Sequence, residues 1–265
     1  MADANGAPRA WSVSAAHTYR TCPLQWSYRH GPHKQPPTLE APSVHRLRGR
    51  VLHEALAAAY RAAVTELADT PGGLLPGTMI RYRRVARAAL GVAWETHRMP
   101  SDSTEALECL QLLDGVLGAL PVPARGAVYA IEHRIRTRTA GGLLVVLVPD
   151  LVLWTGRGTV RVRDYKTGRV DPAAVAGSQQ LLIYAGLLAE RDPTITGVEI
   201  ELYSLRGAAG HAEPADPRQV ADAIDRLERT AATATADTEH APRPGPHCAS
   251  CPFQQVCPAM SRRAA

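Results

Sequence analysis

The sequence predicts an α/β domain with a helical lobe, and two observations carry that prediction. Residues 12–119 contain Ala- and Leu-rich segments with helical periodicity, whereas residues 128–165 are β-branched segments separated by the glycine turns at 141–142 and 156–158. Helical and strand segments then alternate again up to about residue 235. A chain of 265 residues is long enough for one large domain or two small ones with a sizeable buried core.

The individual elements follow from the same patterns. Ser12 or Ser14 serves as the N-cap of the first helix, Pro23 interrupts that helix, and the proline-rich residues 31–43 form a connector. The predicted helices cover residues 12–28, 48–67, 78–97, 103–119, 173–190 and 215–235, and the predicted strands cover residues 128–138, 143–154, 159–165 and 197–205. From residue 240 onward the chain reads as a loop region rich in proline and cysteine.

Composition and charge narrow the possible partners. The longest apolar runs, such as Leu143 to Val148, are far shorter than the roughly 18 residues of a membrane span, and the first ten residues show no secretory signal. We therefore expect a cytoplasmic protein with no membrane partner. Residues 1–169 carry 22 Lys and Arg against 13 Asp and Glu, a net +9, which suits a polyanionic partner although many non-binding proteins share such a bias.

Four of the five cysteines form a pattern typical of a metal site. Cys248, Cys251 and Cys257 follow a C-x2-C-x5-C spacing near the end of the chain, and Cys22 is a candidate for a remote fourth ligand. Two metals compete for this pattern: zinc, with four cysteines or with His247 in place of Cys22, and an iron–sulfur cluster with four cysteines. Cys109 lies in an apolar helical run and is expected to be a buried free cysteine.

The strongest candidates for catalytic residues lie in two neighbouring strand segments. Asp164 and Lys166 are two residues apart on one strand, so they point the same way about 6.6 Å apart, and Asp150 converges on Asp164 if the two strands pair as a hairpin. Carboxylate oxygens suit Mg²⁺ or Mn²⁺, and such an ion can polarise a phosphodiester while Lys166 orients the nucleophile or neutralises charge. Taken alone, however, a D-x-K at a strand end is usually a solvated ion pair.

Three further side chains fit the same site but are weak signals separately. His53, on a predicted helix, can supply a neutral imidazole ligand, although a single helical histidine is more often structural. Gln180 and Tyr184 share one helix face at the i, i+4 spacing. Both can contact a phosphate or the strand end, or they simply cover the end of the sheet.

Taken in order, these motifs resemble a known family. The chain contains G-x3-H (Gly49 to His53), the strand residue Asp150, D-x-K-T-G (Asp164 to Gly168) and Q-x3-Y (Gln180 to Tyr184), in the order expected of PD-(D/E)XK nucleases of the RecB-like branch. The start from Ser12 to Pro23 and the C-x2-C-P-F-x3-C ending look like those of AddB nuclease domains and of the CRISPR-associated four-cysteine exonucleases.

This resemblance implies a fold and a domain organisation. The implied fold is a restriction-endonuclease-like core, a central mixed β-sheet flanked by helices, with an N-terminal helical region and a Cys-rich C-terminal tail. The single nuclease domain then covers residues 12–258, with a helical insertion at about 70–125 and a metal-cluster tail at 240–258. Residues 1–11 and 259–265 are expected to be flexible tails.

The resemblance also implies an activity and the residues that carry it. It implies Mg²⁺- or Mn²⁺-dependent hydrolysis of DNA, on single strands or ends, in repair, recombination or defence. It implies His53, Asp150, Asp164 and the Tyr165 carbonyl as metal ligands, Lys166 as the catalytic lysine, and Gln180 and Tyr184 as accessory residues. For the cysteines it favours a [4Fe-4S] cluster held by Cys22, Cys248, Cys251 and Cys257, with zinc as the alternative.

Two further expectations concern partners and rival functions. The chain has no G-x4-G-K-[ST] phosphate loop, so any unwinding requires a separate helicase or a repair or CRISPR protein. A catalytically silent DNA-binding or assembly subunit is the alternative function, and the intact Asp164/Lys166 pair argues against it. Pro149 departs from the family pattern and suggests an edge or a bulge beside Asp150.

Overall fold

The computed structural model describes residues 10–36, 44–66, 76–99, 103–120 and 125–261. These residues form two compact units. The first unit takes its residues from the ranges 1–41, 135–147 and 218–265, and the second from the ranges 42–134 and 148–217. A single domain over residues 12–258 stays a prediction.

The described residues form eight α-helices and seven β-strands. The helices are α1 (Val13–Thr21), α2 (Pro23–Arg29), α3 (Val44–Glu66), α4 (Pro76–Thr96), α5 (Ser103–Ala119), α6 (Gln179–Arg191), α7 (Pro217–Ala236) and α8 (Pro258–Ser261). The strands are β1 (Val128–Ile131), β2 (Ile135–Arg138), β3 (Leu144–Leu147), β4 (Leu151–Gly156), β5 (Thr159–Lys166), β6 (Gly197–Ser204) and β7 (Ala209–Pro214).

The second unit is built on a five-stranded mixed sheet with the order β1-β4-β5-β6-β7. Strands β5 and β6 are parallel, and the other neighbouring pairs are antiparallel. The β5 residues Val160 and Val162 are fully buried, and α6 contacts both β5 and β6. Helix α3 packs against α4, α5 and β1 around buried aromatic and aliphatic side chains such as Tyr60, Tyr82 and Leu113. The predicted α/β class, a mixed sheet flanked by helices, is confirmed.

The first unit combines helices α1, α2 and nearly all of α7 with the β2–β3 hairpin. Ser12 is the N-cap of α1, because its hydroxyl accepts a hydrogen bond from the Ala15 N–H at 3.1 Å. Trp26 is fully buried and stacks between Trp11 and His240. This aromatic stack ties α2 to the residues that lead into the cysteine-rich end of the chain.

A helix is present at each predicted helical position, and α1 and α2 meet at Pro23 as expected. The predicted start at residue 173 is wrong, because Pro172–Ala174 is a short 3₁₀ turn and α6 begins at Gln179 behind its N-cap Ser178. Two predicted strands are wrong in extent: 128–138 is divided into β1 and β2, and 143–154 into β3 and β4. The second division falls at Pro149, which cannot donate a ladder hydrogen bond and lies between strands rather than in an edge or a bulge. Strand β7 was not predicted, because all six of its residues are polar, small or proline and give no apolar alternation.

Several predicted segments lie partly outside the described residues: the tails 1–11 and 259–265, the connector 31–43 and the insertion 70–125. The described part of that insertion is mostly helical, in α4 and α5. Among the helices that the structure describes, none combines the length and the apolar character needed to cross a membrane.

Candidate active site

Pairing of two antiparallel strands brings Asp150 and Asp164 of the second unit together. Strand β4 pairs with β5 so that Leu151 faces Arg163, which places the preceding Asp150 beside Asp164. One carboxylate oxygen of Asp150, Oδ2, accepts a hydrogen bond from the Tyr165 N–H at 2.7 Å. The predicted convergence of these strands is therefore present, although Asp150 lies in the connection before β4 and not inside a strand.

Asp164 is buried, and each of its carboxylate oxygens has a different neighbour. Oδ1 accepts a hydrogen bond from Gln180 Nε2 at 3.0 Å, and Oδ2 lies 2.6 Å from Lys166 Nζ. Oδ2 has no partner with hydrogen-bond geometry, so its contact with Lys166 is an ion pair that leaves lone pairs available. Burial raises the pKa of Asp164, the charge of Asp150 raises it further, and Lys166 lowers it.

Lys166 ends β5 and is half-exposed, with 49% of its side chain accessible. Its backbone is fixed by the parallel pairing with β6, where it faces Ser204. The ammonium group is therefore anchored at its base and paired with Asp164, yet open to an approaching ligand. A cation in this position can contact a phosphate oxygen or a water molecule.

His53 reaches the same place from α3. Its Nε2 lies 3.1 Å from the Tyr165 carbonyl oxygen, and its Nδ1 lies 3.3 Å from Asp150 Oδ1 and 3.7 Å from Glu132 Oε1. Burial lowers the pKa of His53, but the hydrogen bonds to Asp150 and Glu132 outweigh that effect and raise the pKa to about 10. Without a metal, the ring is thus an imidazolium that occupies the place of a cation between carboxylates.

The two α6 residues have different neighbours. Ser178 is the N-cap of α6, so Gln180 lies in the first turn, where its amide donates to Asp164. The Tyr184 hydroxyl oxygen accepts a hydrogen bond from the Val148 N–H at 3.3 Å, and burial raises its pKa to about 12. Gln180 therefore orients a carboxylate, whereas Tyr184 holds the backbone that leads into Asp150.

Glu132 is a site residue that sequence reasoning missed. It follows β1 directly, its N–H donates to the Asp150 carbonyl at 3.2 Å, and its side chain faces His53. Its φ of 45° lies in the left-handed region that a glutamate rarely adopts. The available signal was an acidic residue at the end of an apolar strand, but the predicted strand 128–138 ran through this position and concealed it.

The ligand atoms of His53, Glu132 and Asp150 all lie within 4.8 Å of one another. Asp164 is not part of that group, but it lies beside Asp150, and with the Tyr165 carbonyl it adds hard oxygen donors next to the imidazole nitrogen of His53. Such a set suits a small divalent cation, and the lone pairs of Asp164 Oδ2 point to the same use. The residues present therefore fit a divalent metal.

In the first unit, the four cysteines of the predicted cluster line one cavity. Cys22, where α1 ends and α2 begins, is buried, whereas Cys248, Cys251 and Cys257 are partly exposed, and all are free thiols. The Arg243 N–H donates to Cys22 Sγ at 3.5 Å, and the Gly245 N–H donates to Cys248 Sγ at 3.4 Å. These thiols thus share one cavity and already accept backbone hydrogen bonds.

Two other residues considered for the cysteine site have separate positions. His247 Nε2 lies 3.8 Å from Cys248 Sγ and also borders the cavity. Cys109 is fully buried in the core of the second unit, where burial raises its pKa to about 11. The expectation that Cys109 is a buried free cysteine is confirmed.

A mixed sheet that brings two aspartates, a histidine and a lysine together at adjacent strand ends defines a class of metal-dependent nucleases. The profile of the PD-(D/E)XK nuclease superfamily matches residues 10–258, and the chain belongs to that superfamily. Pro149-Asp150 and Asp164-Tyr165-Lys166 match the residue letters in the superfamily's name. The fold is accordingly restriction-endonuclease-like, and members of this superfamily usually hydrolyse phosphodiester bonds in nucleic acids with divalent metals.

A search of solved structures finds a similarity to the crystal structure of SSO0001, with 18% sequence identity and a TM-score of 0.35. The match covers 81% of this chain and 95% of the other. At that level of similarity it adds nothing to the family assignment. No curated protein matches the chain.

Proposed function

We propose that this protein is a Mg²⁺- or Mn²⁺-dependent DNA nuclease of the RecB-like exonuclease branch that acts on single strands or DNA ends. The observation that carries the proposal is the convergence of His53, Asp150 and Asp164 beside Lys166. A silent DNA-binding subunit has no chemical need for the buried Asp164 or for its pairing with a half-exposed lysine. We therefore favour the enzyme over that alternative.

The divalent ion would be held by Asp150, Asp164, His53 and the Tyr165 carbonyl, with Glu132 beside them. When bound, it polarises the phosphodiester and lowers the pKa of a water molecule. The other parts of the chemistry fall to the protein. The amide of Gln180 holds Asp164 through Oδ1, which leaves Oδ2 next to Lys166 and with lone pairs that a metal ion could use.

Lys166 has the second chemical task. Its ammonium group is held by Asp164 at 2.6 Å and is exposed enough to meet the scissile phosphate. In that position it orients the attacking water or neutralises the charge that develops on the phosphate oxygens. Tyr184 acts at a distance from the phosphate, because its hydroxyl fixes the Val148 backbone just before Asp150.

For the cysteines we propose a [4Fe-4S] cluster held by Cys22, Cys248, Cys251 and Cys257. The four thiols line one cavity, and two of them, Cys22 and Cys248, accept backbone N–H···S hydrogen bonds of the kind that also reach the sulfurs of iron–sulfur clusters. These contacts support a thiolate-bound metal centre, and the iron and zinc content of the purified protein distinguishes the cluster from the zinc alternative.

Cleavage assays with Asp164→Asn and Lys166→Ala test the proposed activity. With Mg²⁺ or Mn²⁺ and DNA labelled at either end, we expect the wild type to cut and both variants to lose about 1,000-fold or more in rate. In EDTA, Asp164→Asn should unfold at the same temperature as the wild type or higher, because burial disfavours the charged form of Asp164.

Exposed residues of the same type serve as controls. Lys34→Ala changes the only other lysine, and Asp222→Asn changes an exposed aspartate on α7, so both should cut at the wild-type rate. Wild-type cleavage by Lys166→Ala would refute the mechanism. A folded wild type that binds DNA but cuts neither single- nor double-stranded substrates with either metal would favour the silent subunit.

A further inference from the structure

A cavity of about 770 Å³ in the second unit opens onto the acidic site. Its floor includes His53, Glu132 and Asp150. Its two walls come from α3 and α4, which run beside each other. The wall residues are Arg46, Gly49, Arg50, Glu54, Ala57 and Arg61 on α3 and Ala89, Val92 and Ala93 on α4.

The α3 wall is one continuous helix face. Its residues recur every three or four positions, which is the spacing of side chains on one side of an α-helix. From Arg46 to Arg61 this face spans roughly 22 Å at about 1.5 Å per residue, with His53 near its middle. A ligand that lies along the α3 wall must therefore pass the acidic site.

The charges of the α3 wall suit a polyanion. Arg46 and Arg50 are exposed, and neither forms an ion pair with any residue in the described part of the chain. Arg61, on the other side of His53, donates to the Ile131 carbonyl at 3.4 Å. The acidic wall residue Glu54 lies 2.7 Å from His97. Arginines thus flank the acidic floor on both sides along α3.

The α4 wall has the opposite character. Ala89, Val92 and Ala93 are small and uncharged; Val92 is 66% exposed and Ala89 is partly exposed, whereas Ala93 is buried. An apolar surface of this kind offers van der Waals contact to the flat face of a nucleobase, and it has no donors or acceptors that could select one base over another.

We propose that a single DNA strand lies in this groove, with its phosphates along the arginines of α3 and its bases against Val92 and the partly exposed Ala89 of α4. This rests on the proposed nuclease function and specifies how that site receives its substrate. In a duplex the bases are stacked inside, so the apolar wall would face phosphates.

Binding to labelled oligonucleotides, measured by fluorescence anisotropy in the Lys166→Ala background to prevent cleavage, tests the arginine wall. Each phosphate contact on a single strand contributes about −0.7 to the slope of log K against log[salt]. Arg46→Ala with Arg50→Ala should reduce that slope by about 1.4 and weaken binding roughly 10-fold or more at low salt. The matched control, Arg157→Ala with Arg229→Ala, removes the same charge from exposed positions outside the groove and should leave the slope unchanged.

A second variant tests the apolar wall. Val92→Trp places a stacking surface at an exposed position, so it should tighten binding of a single strand about 5-fold or more and give no gain with an abasic strand of equal length. An equal gain with the abasic strand, tighter binding of duplex than of single strand, or an unchanged salt slope in the double arginine variant would each refute the proposal. Because these measurements require no cleavage, they succeed or fail independently of the nuclease assay.

Discussion

The acidic site of the second unit and the cysteine cavity of the first differ in how far the protein alone determines their geometry. Asp150 is held by the Tyr165 N–H, and Asp164 by Gln180 and Lys166. These contacts join neighbouring strands and α6, so the carboxylates are positioned by the same pairings that form the sheet. Even the place of a cation is filled, by the charged ring of His53.

The cysteines are held more loosely. Cys248 and Cys22 accept weak N–H···S hydrogen bonds at 3.4 and 3.5 Å, and Cys248, Cys251 and Cys257 lie in a segment made of short 3₁₀ turns. Cys22 and Cys248 are separated by more than 200 residues in sequence, so an occupant that binds both closes a very long loop. The fold therefore forms the acidic site by itself, whereas the cysteine site depends on the proposed cluster to complete it and to stabilise the fold around it.

The largest effect that we expect comes from removing one cysteine ligand, which should affect the stability of the protein and not its chemistry. The purified Cys248→Ser variant should contain no iron and should lack the absorbance at roughly 400 nm. Its free energy of unfolding should be lower than that of the wild type by on the order of 3 kcal/mol or more. For a chain of this size that is a fall in melting temperature of roughly 10 °C. The remaining folded protein should cut DNA at close to the wild-type rate per active molecule.

Cys109→Ala is the matched control, because it removes a thiol from the core of the second unit and should leave the iron content unchanged. Zinc in place of iron in the purified wild type would refute the cluster. Normal folding of Cys248→Ser combined with lost cleavage would show that the cysteine site serves the chemistry rather than the fold.

The next largest effect is the pH dependence of the stability that His53 gives the acidic site when no metal is bound. The pKa of His53 is raised to about 10 from 6.5, so its stabilising contribution is complete below pH 6.5 and is lost as the pH rises toward 10. In EDTA, the difference in unfolding free energy between the wild type and His53→Asn should shrink by at most about 1.4 kcal/mol per pH unit across that window.

Denaturant titrations at pH 6 and pH 8.5 measure this difference, and His45→Asn, an exposed histidine on the same helix, is the control. That control should follow the wild type at both pH values. A constant difference between the wild type and His53→Asn would mean that His53 is neutral at pH 8.5 and that the two carboxylates do not hold its proton.

The two sites also differ in what could be predicted from sequence. Motif order placed Asp150, Asp164, Lys166 and Gln180 near one another, because strand pairing and a following helix leave few alternatives. Glu132 was not predicted as a site residue, because its position depends on the β1–β4 register, in which Ile131 faces Leu151. The apolar residues on both sides of it suggested one long strand instead. Strand β7 was not predicted because its own residues are largely exposed and carry no strand pattern. It forms by pairing with β6.

The smallest expected effect tests the strained backbone of that missed residue. At a φ of 45°, glycine is free of the strain that any side chain incurs, so Glu132→Gly should be more stable than Glu132→Ala by about 1 kcal/mol in EDTA. At the exposed position Gln111, in the middle of α5, the order should be reversed, with Gln111→Gly less stable than Gln111→Ala by about 1 kcal/mol.

Both Glu132 variants lack the carboxylate that lies 3.7 Å from His53, so both should also lose part of the thermal stabilisation that Mn²⁺ gives the wild type. The two measurements separate two roles. If Mn²⁺ stabilises the variants as much as the wild type while the glycine variant remains the more stable of the two, Glu132 is strained without serving the metal. If alanine is as stable as glycine, the left-handed conformation at this position carries no cost, and the carboxylate alone gives Glu132 its role at the site.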